Sequence, residues 1–175
     1  MGIEAVRSST PAPIREYISQ ALKIVMNGTE DELIDFIAEK RDEWGQLPPE
    51  SVGFPRTANN VQKYADATTL YKKSTPMHIR GSLLYNHFLK ERKLTNKYNL
   101  ISPGDKIKYI YLRTPNLSGE NVISFISEFP RELGLTGFID YDTMYQKGFI
   151  DPMQQILDAI GWKTEKQATL FDFFT

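Results

Sequence analysis

The sequence predicts an α+β fold: a mainly helical domain with a small antiparallel β element and a flexible C-terminal tail. Two N-terminal segments place apolar side chains at helical spacing, and residues 106–113 alternate basic with apolar side chains, as a half-buried strand does. The 175 residues, 41% hydrophobic and 25% charged, suffice for one domain with a sizeable core. We expect that domain over residues 1–163 and the tail over residues 164–175.

Two helices that pack as an antiparallel pair are predicted first. Residues 8–11 (Ser-Ser-Thr-Pro) supply a cap, and a helical apolar pattern runs from there to Asn27-Gly28, which ends it. Thr29 and Glu32 have the spacing of a capping box that opens the second helix. The outward face of this second helix is acidic and would repel DNA, so we assign the pair a scaffolding role.

The remainder is predicted as short elements around one long helix. Residues 46–75 contain too many Pro, Gly and Asn for long elements. The predicted elements are a third helix over residues 75–93, a strand over residues 106–113 with an antiparallel partner over residues 121–125, a short helix over residues 128–133, and a longer helix over residues 141–160 that is interrupted at Gly148 and Pro152.

Composition excludes several classes of protein. The chain contains no Cys, which excludes disulfides and cysteine-ligated metals, and its two His leave little room for a zinc centre. No phosphate-loop or metalloprotease motif occurs, so no catalytic residue is predicted. The sequence also has no apolar run of about 18 residues and no signal pattern, from which we expect a cytoplasmic protein that does not enter a membrane.

Two titratable features have ordinary structural explanations. Asp140-Tyr141-Asp142 resembles a metal-binding acid pair, but acidic residues in a first helical turn stabilise the helix without any metal. His87 lies in the middle of the third predicted helix, where a packed or solvated role is expected. We therefore predict no metal site in this chain.

The charge is distributed unevenly. From Arg56 to Arg113 the chain has twelve Lys and Arg against three acidic residues, a net charge of +9, whereas the rest carries −10. A basic block of this kind is typical of a surface that meets a polyanion, since neutralised phosphates release counterions. The alternative is that these side chains form ordinary solvated faces.

Lysines and a histidine lead into the third predicted helix. Residues 72–81 read KKSTPMHIRG, so cations precede a helix N-terminus whose N–H groups favour phosphate, and Gly81 permits close approach of another backbone. Upstream, residues 59–64 (NNVQKY) supply amides, a cation and an aromatic ring suited to a sugar-phosphate track. A capped helix after a polar loop is the alternative, but together with the basic block the pattern favours phosphate contact.

The chain ends in an unusual apolar cluster. Residues 167–174 read QATLFDFF, and one helical turn would bring Leu170, Phe173 and Phe174 onto one face. With Gln167, they match the Q-x-x-L-x-x-F-F peptide by which replication enzymes attach to ring-shaped sliding clamps. These side chains either insert into a partner's pocket or fold back onto the domain's own core.

Several short motifs occur in a fixed order along nearly the whole chain. They are Gly2-Ile3-Glu4 followed by Ser8-Ser9-Thr10-Pro11, Ala58-Asn59-Asn60, Lys63-Tyr64, His78-Ile79-Arg80-Gly81 with Leu84-Tyr85-Asn86, and the phenylalanine-rich end. In this order they resemble the C-terminal part of the replicative family-B DNA polymerases of T-even-type phages. The resemblance implies the thumb, which grips the primer–template duplex, followed by a clamp-binding tail.

The resemblance also implies partners and a division of labour. In this family, paired aspartates that hold Mg²⁺ lie in the palm and a separate exonuclease proofreads; neither portion matches this chain, so we expect no cofactor here. The chain is then either a fragment or one product of a polymerase divided between two genes, with the palm, fingers and exonuclease as its partners. The family's duplex-contacting positions fall on Asn60, Lys63, Tyr64, Lys72, Lys73, His78, Arg80 and Gly81.

The loop between Thr68 and Ser74 departs from the family's composition, which makes Lys72 and Lys73 the less secure assignments. Two other hypotheses remain open at this point. One is a stand-alone accessory protein that binds DNA and a sliding clamp. The other is a structural protein whose basic block docks an acidic partner.

Overall fold

The computed structural model describes residues 8–166 and confirms the α+β class. Helices predominate around small antiparallel sheets. The elements are α1 (Ala12–Asn27), α2 (Glu30–Trp44), α3 (Pro49–Val52), β1 (Phe54–Thr57), α4 (Val61–Tyr64), β2 (Ala65–Asp66), β3 (Leu70–Tyr71), α5 (Met77–Glu91), β4 (Lys106–Tyr111), β5 (Val122–Phe125), 3₁₀ turns at Arg131–Leu133 and Thr136–Phe138, α6 (Tyr141–Tyr145), a π-helical turn (Gln146–Ile150) and α7 (Asp151–Ile160).

The N-terminal helix pair forms as predicted, except for the first cap. Pro11 occupies the N-cap position of α1 and makes no side-chain cap hydrogen bond, so the prediction that a hydroxyl residue fills this position is wrong. The capping box of α2 is confirmed: Thr29 Oγ1 accepts from the Glu32 backbone N–H at 3.2 Å, and the Glu32 carboxylate accepts from the Thr29 N–H at 3.1 Å. Helices α1 and α2 pack together through their apolar faces, which supports the scaffolding role.

The main sheet contains three strands in the order β1-β4-β5, all antiparallel. The pairing of β4 with β5 confirms the predicted partner strand. Strand β1 was not predicted, because its four residues include Pro55 and show no alternation; the pairing of Phe54 with Tyr109 and of Arg56 with Ile107 is what makes it a strand. Pro55 is tolerated because β1 is an edge strand.

Helix α5 packs closely on β5, and Gly81 makes this possible. A Cβ at position 81 would lie 2.5 Å from the Ser124 Oγ and 2.8 Å from the Ser124 backbone N. Ser124 Oγ donates to the His78 carbonyl at 2.9 Å, which ties the first turn of α5 to the sheet. The face of the sheet that carries Ser124 and its register partner Tyr109 is therefore the face that receives the start of α5.

The C-terminal helical segment is continuous from α6 through the π-helical turn into α7. Gly148 lies within the π-helical turn and Pro152 in the first turn of α7, so the predicted interruption is instead a local widening of the helix. Hydrogen bonds join this segment to α2: Trp44 Nε1 donates to the Tyr141 carbonyl at 2.9 Å and the Tyr145 hydroxyl to the Ile37 carbonyl at 2.7 Å. None of the helices within residues 8–166 is long and apolar enough to cross a bilayer.

Candidate nucleic-acid interface

A small hairpin brings three of the predicted contact residues together. Strands β2 and β3 pair Ala65 with Tyr71, and the Lys72 backbone N–H donates to the Tyr64 carbonyl at 2.9 Å. The Lys72 ammonium donates to the Lys63 carbonyl at 2.8 Å, and the Lys63 ammonium lies 5.4 Å from the centre of the Tyr64 ring. Two cations and an aromatic ring therefore share one surface, which we call the lysine hairpin (residues 60–73).

The tip and entry of the lysine hairpin are locally specified. The Asp66 carboxylate accepts from the backbone N–H groups of Thr68 at 2.8 Å and Thr69 at 3.0 Å, and these bonds lower the pKa of Asp66. Asn60 precedes α4 with φ 61°, a left-handed conformation that asparagine tolerates. Asn60, Lys63 and Lys73 are all exposed. The interface thus presents exposed cations and an amide on a backbone that local hydrogen bonds specify.

His78 lies at a half-buried position rather than on the open surface. Its ring lies 6.4 Å from the Tyr109 ring, centre to centre, at an angle of 42°. Burial, and secondarily the Arg56 cation, lower the pKa of His78 below its ordinary 6.5. This shift favours the neutral form of the imidazole, so His78 is a weaker source of positive charge than the lysines of the predicted interface.

Arg80 braces the protein internally. Its guanidinium lies 5.6 Å from the centre of the Tyr71 ring and donates to the Asn121 side-chain oxygen, while Tyr71 donates to the Glu120 carboxylate at 2.9 Å. The Arg80 Nε is buried and has no hydrogen-bond partner among the described residues. These contacts join α5 to the lysine hairpin and to the start of β5, so Arg80 positions the hairpin instead of extending freely toward a ligand.

Gly81 is buried, which counts against the predicted contact with a ligand. The backbone that approaches it is that of β5, at Ser124 and Ile123. The close approach that the sequence suggested is real, but its partner is the protein's own sheet. Gly81 therefore determines how closely α5 packs on β5, and it has little exposed surface that a ligand could contact.

Four further residues form a connected group around Tyr109, the ring neighbour of His78, and were not predicted as site residues. The Arg56 guanidinium is 5.5 Å from the centre of the Tyr109 ring, and the Lys147 ammonium is 5.8 Å from the centre of the Tyr111 ring. The alternation in β4 places Tyr109 and Tyr111 on one face, and this signal was available from the sequence. The sequence does not show that Arg56 and Lys147 lie near these tyrosines, because their positions depend on the unpredicted strand β1 and on the π-helical turn.

The acid pair has a structural role. Asp140 is the N-cap of α6, and its carboxylate accepts from the Thr143 backbone N–H at 3.1 Å and from the Thr143 hydroxyl at 2.7 Å. Over residues 8–166, no three His, Asp or Glu side chains lie close enough together to hold a metal ion. The predicted clamp peptide, with Gln167, Leu170, Phe173 and Phe174, lies outside the described residues.

Comparison with known proteins supports the resemblance seen in the sequence. No protein-family model matches the chain. It is 28% identical over 174 residues to the DNA-directed DNA polymerase of Enterobacteria phage T4 and 29% identical over 183 residues to that of Escherichia phage RB69. The alignments cover 97% and 99% of this chain but 19% of each polymerase. The resemblance to phage DNA polymerases is therefore confirmed along nearly the whole chain, for a region that equals 19% of their length.

Proposed function

We propose that this chain is the thumb of a phage-type family-B DNA polymerase. In this role, residues 1–163 grip the primer–template duplex through its backbone and residues 164–175 tether the enzyme to a sliding clamp. The site of action is then the cytoplasm of the infected cell. The single observation that carries the proposal is the similarity of 97% of this chain to a region that makes up 19% of the T4 polymerase.

The lysine hairpin suits duplex binding without sequence preference. Lys63, Lys72 and Lys73 supply positive charge, and Asn60 and Tyr64 supply an amide and a phenol. Contacts of these kinds to phosphate and sugar position a duplex without reading its bases. Arg80 and Gly81 contribute indirectly, by fixing the hairpin and α5 to the sheet. His78, whose lowered pKa favours the neutral ring, contributes a hydrogen bond more readily than a charge.

The clamp-binding tail suits a tether. A clamp that encircles the same DNA raises the local concentration of the peptide, so that a weak interaction is enough to keep the polymerase on its template. The alternative of a stand-alone accessory protein predicts the same DNA and clamp contacts. The polymerase is preferred because the similarity extends over the whole chain and is not confined to the tail motif.

Nucleotidyl transfer is assigned to the palm, which would hold Mg²⁺. Two-metal catalysis needs carboxylates that hold paired ions about 4 Å apart, and within residues 8–166 no three His, Asp or Glu side chains cluster so as to hold a metal ion. We therefore assign no catalytic step to this chain and expect the purified chain to be inactive in primer extension. Extension activity that co-purifies with the chain through several columns would contradict this assignment.

Duplex binding by charge-matched variants tests the proposed interface. The double variant Lys63→Gln, Lys73→Gln should weaken binding to a blunt DNA duplex. The slope of log K against log salt should become shallower by about 2, because each of the two lost phosphate contacts contributes about 0.9. Lys23→Gln with Lys163→Gln removes the same charge at exposed positions outside the interface and serves as the control. Equal losses in both double variants would show that net charge, not the hairpin, determines binding.

A further inference from the structure

A cavity of about 170 Å³ lies on the sheet face that carries Tyr109, the tyrosine whose ring centre is 6.4 Å from that of His78. Its lining includes Ser9, Arg56, Tyr111 and Lys147. Among the described residues that line the cavity there is no carboxylate, although the chain as a whole contains 22 acidic against 21 basic residues. The described part of the lining therefore carries two positive charges and no negative one.

Arg56 is held in place with part of its guanidinium still available. Its Nη1 donates to the Ser9 carbonyl at 2.9 Å and to the Pro55 carbonyl at 2.8 Å. The Nε and Nη2 groups have no hydrogen-bond partner among the described residues, and a guanidinium has five N–H donors in all. Two carbonyl contacts thus fix the direction of this cation, and its remaining donors can meet an anion.

Lys147 reaches the same cavity from the other side. It lies in the π-helical turn, and Gly148 beside it lets that turn approach α1 and β1, since a Cβ there would lie 2.5 Å from Ile14 Cδ1 and 3.2 Å from the Phe54 ring. Turns of this kind are uncommon and often occur at functional sites. Here the turn places the Lys147 ammonium 5.8 Å from the centre of the Tyr111 ring.

The two tyrosines lie between the two cations. Their ring centres are 5.7 Å apart. Burial, followed by the neighbouring Tyr111, raises the pKa of Tyr109 to about 12, and Arg56 and Lys147 oppose this rise. Arg56 and Lys147 therefore both lie close enough to the Tyr109 hydroxyl to act on it, which places the two cations at one site.

We propose that this cavity binds a phosphate group, held by Arg56 and Lys147 with hydroxyl donors from Tyr111 and Ser9. Guanidinium, ammonium and hydroxyl groups are all donors, and phosphate oxygens are acceptors, so the chemistry of the lining is complementary to this ligand. The identity of the phosphate as a phosphodiester of the DNA backbone rests on the proposed function. The cavity then extends the interface from the lysine hairpin past His78 to the C-terminal helical segment.

Two variants separate the charge of the site from its hydroxyl donor. In duplex titrations, Lys147→Gln should weaken binding and reduce the slope of log K against log salt by about 1. Tyr111→Phe should weaken binding with an unchanged slope, because it removes a neutral donor and keeps the ring. Lys23→Gln is the matched control, an exposed lysine on α1, and should change binding less than Lys147→Gln.

A nuclear magnetic resonance titration of the full chain identifies the source of the phosphate. Shifts of the Lys147 and Gly148 amides with both inorganic phosphate and a DNA duplex, absent in Lys147→Gln, support the proposal. Shifts with inorganic phosphate alone support the site but assign it to a free anion and count against the proposed function. If Lys147→Gln and Tyr111→Phe bind the duplex normally and the Lys63→Gln, Lys73→Gln double variant does not, the phosphate site is overturned and the proposed function stays intact. Equal shifts with poly-glutamate would overturn the assignment to phosphate.

Discussion

Replacing Gly81 with alanine distinguishes a packing role from a ligand contact. The new Cβ would lie 2.5 Å from Ser124 Oγ, 2.8 Å from the Ser124 N and 3.0 Å from the Ile123 carbonyl carbon. The last two atoms belong to the backbone of β5 and cannot rotate away. Because α5 makes its most extensive contacts with β5, the helix must shift outward along this interface.

The expected loss of stability follows from two opposing effects. Overpacking of this kind costs about 1–3 kcal/mol, and the change from glycine to alanine inside a helix returns up to about 1 kcal/mol. We expect a net loss of about 1–2 kcal/mol, which corresponds to a fall in Tm of about 2–8 °C for a chain of this size. Gly45→Ala is the control, because a Cβ there would be no closer than 3.6 Å to another atom and φ is −64°.

The assay combines thermal unfolding with duplex binding, measured at a temperature where both variants are folded. Gly81→Ala should unfold earlier and, while folded, retain most of its affinity for duplex DNA. Gly45→Ala should match or slightly exceed the unchanged protein in stability. A Gly81→Ala protein with unaltered Tm and strongly reduced DNA affinity would refute the packing role and restore Gly81 to the interface.

Three further predictions concern the scaffold and the tail. Thr29→Ala removes the capping box of α2 and should cost about 1 kcal/mol in urea unfolding, whereas Thr29→Ser should restore most of it. The Lys97 ammonium, the Glu132 backbone N–H and Tyr98 lower the pKa of Glu132 from 4.5 to about 2. The contribution of Glu132 to the free energy of unfolding is therefore complete above pH 4.5 and is lost as the pH falls toward 2. Glu132→Gln should flatten the pH dependence of stability between these two values. Truncation after Lys166 should leave Tm unchanged and abolish clamp binding. We expect that binding to be about micromolar, because burial of the three large apolar side chains yields roughly 5–9 kcal/mol before the cost of ordering the tail. A clear fall in Tm would show that the tail belongs to the domain core.

Local patterns in the sequence were sufficient for the long elements. The capping box at Thr29 and the alternation in β4 depend on neighbours within a few residues, so α2 and β4 could be predicted from those residues. Strand β1 depends on pairing with residues about 50 positions later in the chain, and no local signal shows that. The cap of α1 failed because Pro11 is in the N-cap position that a hydroxyl residue was expected to fill.

The site shows the same division between local and distant information. Lys63, Tyr64 and Lys72 are close in sequence, and the hairpin that joins them brings them together on one surface. The contacts of Arg80 with Tyr71 and Asn121 involve three separate elements, so its bracing role could be recognised only from the structure. Sequence alone identifies a cation, whereas its partners decide whether that cation is free to bind a ligand.

The salt dependence of duplex binding tests the central claim most directly. Binding of the unmodified chain to two duplexes of unrelated sequence should give equal affinities and straight lines of log K against log salt with a clearly negative slope, as backbone contacts require. A slope near zero would contradict the claim that this surface grips the phosphate backbone of a duplex. A strong preference for one of the two sequences would contradict it as well.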